Sequence, residues 1–198
     1  MLLALAVAGC GGSSHKANSP AVSGKGKSSK YEGAEATSPK PAPALVLRDS
    51  LGRRVDLKQY RGKAVLITFI YVHCPDICPL IVGNLHTAQA QLGARASKVQ
   101  IVAVSTDPRG DKPPAVKKFL AAHQMTGRME YLVGSKTVLG NVWRTWGIVS
   151  KPDKASPDKV EHSALIYGIS ASGKITTLYP ANFKPAQIVH DAPVLAAE

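Results

Sequence analysis

The run Ile67-Thr68-Phe69-Ile70-Tyr71-Val72-His73-Cys74-Pro75-Asp76-Ile77-Cys78-Pro79 decides how the chain folds. From Val65 to Val72 the residues are apolar, β-branched or aromatic without polar alternation, the pattern of a strand covered on both faces. It stops at a Cys-x-x-x-Cys that contains Pro75 and is followed by Pro79. Beyond Pro79, apolar Leu80, Ile81, Leu85 and Ala88 recur at helical spacing. Pro79 suits the first turn of that helix, where its missing N–H costs nothing. Two thiols are thereby expected between the carboxyl end of a buried strand and the start of a helix. Open α/β sheets bind ligands there, and a helix N-terminus lowers the pKa of a nearby thiol.

On the C-terminal side, Gln100-Ile101-Val102-Ala103-Val104-Ser105 reads as a second buried strand, ending at Thr106-Asp107-Pro108. Two buried strands joined by a helix form a right-handed βαβ unit with a parallel pair. A helix is expected from about Pro114 to His123, a short strand from Met129 to Val133 and a helix from Thr137 to Trp146. The chain closes with strands Ser163–Ile169 and Lys174–Tyr179 around the turn Ala171-Ser172-Gly173, and a helix from about Pro185. Before the central strand, Leu45-Val46-Leu47 and Arg53 to Leu57 read as a hairpin. The expected class is α/β and thioredoxin-like: a mixed central sheet flanked by helices, with an N-terminal hairpin.

The N-terminal 43 residues have another character. Leu2 to Ala8 is too short to span a bilayer. It reads as the apolar core of a secretory signal over residues 1–9, and Val7-Ala8-Gly9-Cys10 looks like a bacterial lipobox, with Cys10 the lipidated residue. The run opens Met1-Leu2 rather than on positive charge, which fits a signal whose start lies upstream. Residues 11–43 are rich in Gly, Ser, Pro, Ala and Lys, so residues 10–43 are expected to be a lipidated cysteine plus a disordered tether. The ordered domain is then expected over 44–198. The net charge of +12 invites a nucleic-acid reading, but a tethered exported protein argues against it. Anionic headgroups or an acidic partner domain fit the charge as well as a merely solvated surface does.

With Cys10 carrying lipid, the three cysteines reduce to the pair Cys74 and Cys78. By themselves these admit a structural disulfide, a redox pair or part of a metal site. Structural zinc wants four nitrogen or sulfur ligands, and redox motifs of the thioredoxin kind carry two intervening residues rather than three. Two thiolates plus one imidazole make a soft three-coordinate set suited to Cu(I). The imidazole has six possible sources: His15, His73, His86, His123, His162 and His190. His73 should point away from Cys74 in an extended segment, and His162 follows a polar loop from Ser150 to Lys159. Residue type alone leaves the choice open.

A family resemblance narrows it. The run from Tyr71 to Pro79 resembles the signature of the SCO/SenC family, Val104 to Pro113 is similar to its second motif, and Glu161-His162-Ser163 to its third. Together they anchor the chain from Leu45 to its end. The resemblance implies a membrane-tethered thioredoxin-fold protein that binds copper and helps assemble the dinuclear copper centre of cytochrome c oxidase. It further implies copper ligands at Cys74, Cys78 and His162, with the acidic residue associated with the metal site at Asp107. Glu161 stands where the family more often has aspartate, and Gly110 and Lys112 vary the second motif.

The expected function is a copper chaperone acting on the copper-accepting subunit of cytochrome c oxidase. It would be lipid-anchored on the extracytoplasmic face and monomeric. The rival is a thiol–disulfide oxidoreductase that reduces partner cysteines before metallation; His162 would then be dispensable.

Overall fold

The computed structural model describes residues 29–152 and 160–198. In chain order its elements are β1 (Ala34–Pro41), β2 (Val46–Asp49), β3 (Arg54–Asp56), β4 (Ala64–Ile70), α1 (Ile77–Leu92), β5 (Val99–Ser105) and α2 (Pro113–Ala122). There follow β6 (Met129–Val133), α3 (Lys136–Trp146), β7 (Ser150–Pro152), β8 (Val160–His162), β9 (Leu165–Ile169), β10 (Lys174–Pro180) and α4 (Pro185–Ala196). Eight strands make one sheet in the order β1-β10-β9-β4-β5-β6-β2-β3, while β7 and β8 form a separate pair.

The middle of the sheet is parallel, β4 against β5 and β5 against β6. Every residue of β4 is buried, because both faces are covered. Leu66 and Ile70 enter a core with Ile81, Leu85 and Leu195, under α1 and α4. Val65, Ile67 and Phe69 point the other way, toward Leu139, Trp146 and Tyr167. Period-2 side-chain alternation between two cores is what an unbroken apolar run encodes. Phe69, Trp146 and Tyr167 pack ring against ring at centroid separations of 5.4 to 6.1 Å.

The β2–β3 hairpin forms as expected and joins the sheet edge through β6. It is not the first element, however. The tether expected up to residue 43 gives way to ordered chain well before that. Tyr31 is 1% exposed and Ala36 is buried, and β1 pairs antiparallel with β10 around a bulge between Glu35 and Lys40. What orders this polar segment is backbone pairing and one buried carboxylate. Asp191 on α4 accepts the backbone N–H groups of Glu32 and Gly33, both at 2.8 Å, and the Tyr179 hydroxyl at 2.8 Å. Gly33 runs so close to Thr177 and Tyr179 that a Cβ would collide with both.

The expected signal segment, Cys10 and the first part of the tether lie outside the described residues. No helix among the described residues is long and apolar enough to cross a membrane. The expected loop from Ser150 to Lys159 is also shorter than anticipated, since its first three residues pair with Val160–His162.

Candidate metal centre

β4 ends at Ile70, and its direction is continued by Tyr71 and Val72 into a turn whose Cys74 N–H donates to the Tyr71 carbonyl at 3.4 Å. Asp76 then caps α1, its carboxylate accepting the Ile77 N–H. Cys78 is therefore the second helical residue, while Cys74 lies before the cap and not on the first turn. The two sulfurs still converge: the Cys78 backbone N–H donates to Cys74 Sγ at 3.3 Å. Cys74 thus sits on the N-terminal pole of a 16-residue helix, where anionic charge is favoured.

The third member arrives from β8. His162 Nε2 lies 3.5 Å from Cys78 Sγ. The ligand atoms of Cys74, Cys78 and His162 all fall within 4.8 Å of one another. His162 Nδ1 is 3.2 Å from the Ser163 carbonyl, an acceptor only, so the ring's proton belongs on Nδ1 and the lone pair of Nε2 faces the thiols. Tyr71 packs edge-on against the imidazole, with centroids 5.6 Å apart and planes at 88°. Its hydroxyl accepts the Val160 N–H at 3.3 Å, tying β8 to the end of β4.

Cys74 and Cys78 are not joined in a disulfide; Cys74 is 7% exposed and Cys78 fully buried. They share one proton between them. A hydrogen bond from the Cys78 thiol pulls the Cys74 pKa down to about 4 despite burial, helped by the Cys78 N–H. The same contact, together with burial, pushes the Cys78 thiol far up. At neutral pH the pair is one thiolate and one thiol.

Below them lies Asp111, which the sequence reading passed over. It is 3% exposed and accepts from Val72 N–H at 2.9 Å, the Ser105 hydroxyl at 2.6 Å and the Tyr131 hydroxyl at 2.9 Å. It braces the backbone two residues before Cys74. Burial raises its pKa to about 6 even against these three donors. Nothing local in the sequence distinguished it from Asp107, four residues earlier in the same loop.

Asp107 is placed differently. Its Oδ1 accepts the Arg109 N–H at 3.0 Å and lies 3.9 Å from the Arg109 guanidinium, a turn-closing role. It is outside the group formed by the thiols and His162, but its carboxylate and the ring of His73 both press on Gly110. Of the other histidines, His73 is exposed, His123 stacks on Phe119 with centroids 4.6 Å apart, and His190 contacts Asp191 at 2.7 Å. His86 is half-buried on α1, and His15 lies outside the described residues.

Two thiol sulfurs and one imidazole nitrogen, with no carboxylate among them, are a soft donor set that favours a soft, low-coordinate cation such as Cu(I) over Zn²⁺ or Mg²⁺. A model of the SCO1/SenC family matches residues 35–196. The chain belongs to the SCO1/SenC family. It is 30% identical over 132 residues to the SCO1 protein homolog of Bacillus subtilis (strain 168), a match taking in 65% of this chain and 67% of that one. It spans only about half, 51%, of the mitochondrial SCO2 homolog of Bos taurus. Apo Sco1 from Thermus thermophilus superposes with a TM-score of 0.73 at 26% identity, over 86% of this chain and 99% of that chain. The copper-bound ScoI of Bradyrhizobium japonicum gives 0.70 at 27% identity, over 79% and 99%. The SCO1/SenC chain described here shares their thioredoxin-like fold, and its Cys–Cys–His group stands at the first βα junction of that fold.

Proposed function

We propose that this SCO1/SenC protein is a copper chaperone. It holds one Cu(I) between Cys74 Sγ, Cys78 Sγ and His162 Nε2 and passes it to the copper-accepting subunit of cytochrome c oxidase. The observation that carries the reading is the convergence of two free thiols and one imidazole within 4.8 Å. No fourth ligand joins them among the described residues. A three-coordinate site at the end of a helix lets incoming thiols displace the ligands one at a time. Family membership and the likeness to a copper-bound ScoI support the same metal. A lipid on Cys10 would hold the domain at the extracytoplasmic membrane face, where a cuproenzyme's exposed domain can reach it.

The test is a Cu(I) titration of the reduced protein against a competing chelator, beside Cys74→Ser, Cys78→Ser and His162→Ala. One equivalent bound tightly, and weakened by each change, is expected. A wild-type protein that holds no copper would remove the reading.

A second reading has its own observation, the low pKa of Cys74 at the helix pole. A Cys74 thiolate can attack a partner's disulfide. The partner's S–S bond breaks as a Cys74–partner mixed disulfide forms. Cys78 then gives up its proton and attacks Cys74 Sγ, the Cys74–Cys78 bond forms, and the partner leaves as a dithiol carrying two electrons. Disulfide exchange that survives His162→Ala while copper binding does not would show both activities in one site.

A further inference from the structure

A cavity of about 610 Å³ opens beside Asp107 and Asp111. Its walls are the loop from Thr106 to Pro113, the start of α3 at Ser135 and Lys136, and β7 at Ser150 and Lys151. The side chains around it include four cations, Arg109, Lys112, Lys136 and Lys151, against two carboxylates, Asp107 and Asp111. Both carboxylates are already engaged, Asp107 by Arg109 and Asp111 by Val72, Ser105 and Tyr131. The balance of the lining is positive.

The 11-residue helix α3 begins at this wall. Ser135 Oγ accepts the Val138 N–H and the Ser135 carbonyl accepts that of Leu139. The N–H groups of Lys136 and Thr137 remain at the positive pole, where the helix itself supplies no acceptor. An independent observation points to the same cavity. Thr106, 2% exposed, lines it, and the Thr106 hydroxyl is buried with no hydrogen-bond partner. Such groups are rare in folded proteins and are ordinarily completed by a ligand or water.

We propose that this cavity binds an oxyanion, carboxylate or phosphate in chemistry, between the Thr106 hydroxyl, the N-terminus of α3 and the ammonium groups of Lys112 and Lys136. Lys112 Nζ already donates one bond to the Pro108 carbonyl at 2.9 Å, but a neutral apolar ligand would leave the Thr106 hydroxyl and the first N–H groups of α3 unanswered. The site is distinct from the metal group yet mechanically next to it. Ser150, in the cavity wall, donates to the Thr106 carbonyl at 2.9 Å and stands opposite His162 in the β7–β8 register. An occupant therefore leans on the strand paired with the one that carries the imidazole. The same chemistry has two sources, a free phosphate-class anion or an acidic side chain of a docking protein.

The experiment is an amide-resolved NMR titration of the copper-free chain at fixed pH and ionic strength. One arm uses inorganic phosphate and the other N-acetylglutamate. Saturable shifts are expected at Thr106, Lys136 and Thr137. The fitted Kd should weaken roughly tenfold in Lys136→Gln and in Thr106→Val, and stay unchanged in the distant Lys58→Gln. The tighter arm identifies the source. Lys136 is exposed, so its variant stays informative even if Thr106→Val fails to fold. No saturable shift in either arm, or equal weakening by Lys58→Gln, overturns the proposal. Because no copper is present, the outcome is independent of the chaperone reading.

Discussion

Cys78 Sγ and His162 Nε2 lie 3.5 Å apart across a sequence separation of 84 residues. The imidazole is held from behind by the Ser163 carbonyl and from the side by Tyr71. A ring held from behind and from one side gives up little freedom when it takes a metal. His162→Ala is expected to weaken Cu(I) retention by roughly a factor of 10 to 100. Tyr71→Leu should weaken it less, through a looser ring; chelator competition reads both.

Because the thiol pair already lacks one proton at neutral pH, Cu(I) capture should release about one proton, that of Cys78, rather than two. An indicator dye in weakly buffered solution at pH 7 measures this. The expected stoichiometry stays near one even above pH 9, because the Cys78 thiol, pushed far up by burial and by its bond to Cys74, still holds its proton there.

Alkylation should discriminate between the cysteines. Cys74 is the thiolate and the more exposed of the two, so iodoacetamide followed by peptide mass spectrometry should find label on Cys74 first. In Cys78→Ala the thiol that stabilises the anion is gone, and the pH midpoint of Cys74 labelling should move upward.

Asp111 gives a stability signature. Its folded pKa, about 6, lies above the unfolded value near 3.9. The stability it contributes is therefore complete below about pH 4 and is lost as pH rises through 6. The loss is at most about 3 kcal/mol. Urea midpoints at pH 4.5 and 7.5 should fall less steeply in Asp111→Asn than in the wild type. An Asn can keep the Val72 bond, while Tyr131 donates to the Ile70 carbonyl, 3.3 Å away.

Gly110 is a crowded position. A Cβ there would come within 2.7 Å of His73 Nδ1 and still closer to the Asp107 carboxylate. Gly110→Ala should cost about 1–3 kcal/mol. Adding His73→Ala should recover part of that, because the exposed ring is one of the two obstacles. A double-mutant cycle in urea separates the two.

What could be read from sequence depended on whether the signal was local. Val65 to Val72 announced a strand covered on both faces because each of its residues needed a core. The pairs Pro113-Pro114 and Lys184-Pro185 marked helix starts because proline fixes the local dihedral. Strand β1, Ala-Glu-Ala-Thr-Ser-Pro-Lys-Pro, shows no alternation and holds Pro39 and Pro41. Its order comes from backbone pairing with β10 and from Asp191, about 160 residues away, which composition does not register. The site divides the same way. Cys74 and Cys78 stood out by spacing, whereas His162 was one of six histidines until a family pattern singled it out. Asp111 was hidden because the loop from Asp107 offers two acids, and only the tertiary path shows which one turns inward.

The Asp191 clamp decides how the domain would carry load. A pull applied from the N-terminal side first meets the Lys30–Glu198 ion pair, the buried ring of Tyr31 and the two amides gripped by Asp191. Only after these does it reach the ladder of β1. Between β1 and the strand that leads to the thiols stand β10 and β9. Tension is thus grounded in the sheet edge and α4, like a mooring line made fast at the stern. A pull on Lys30 and Tyr31 is taken up before it reaches β4, and Cys74, Cys78 and His162 keep their spacing.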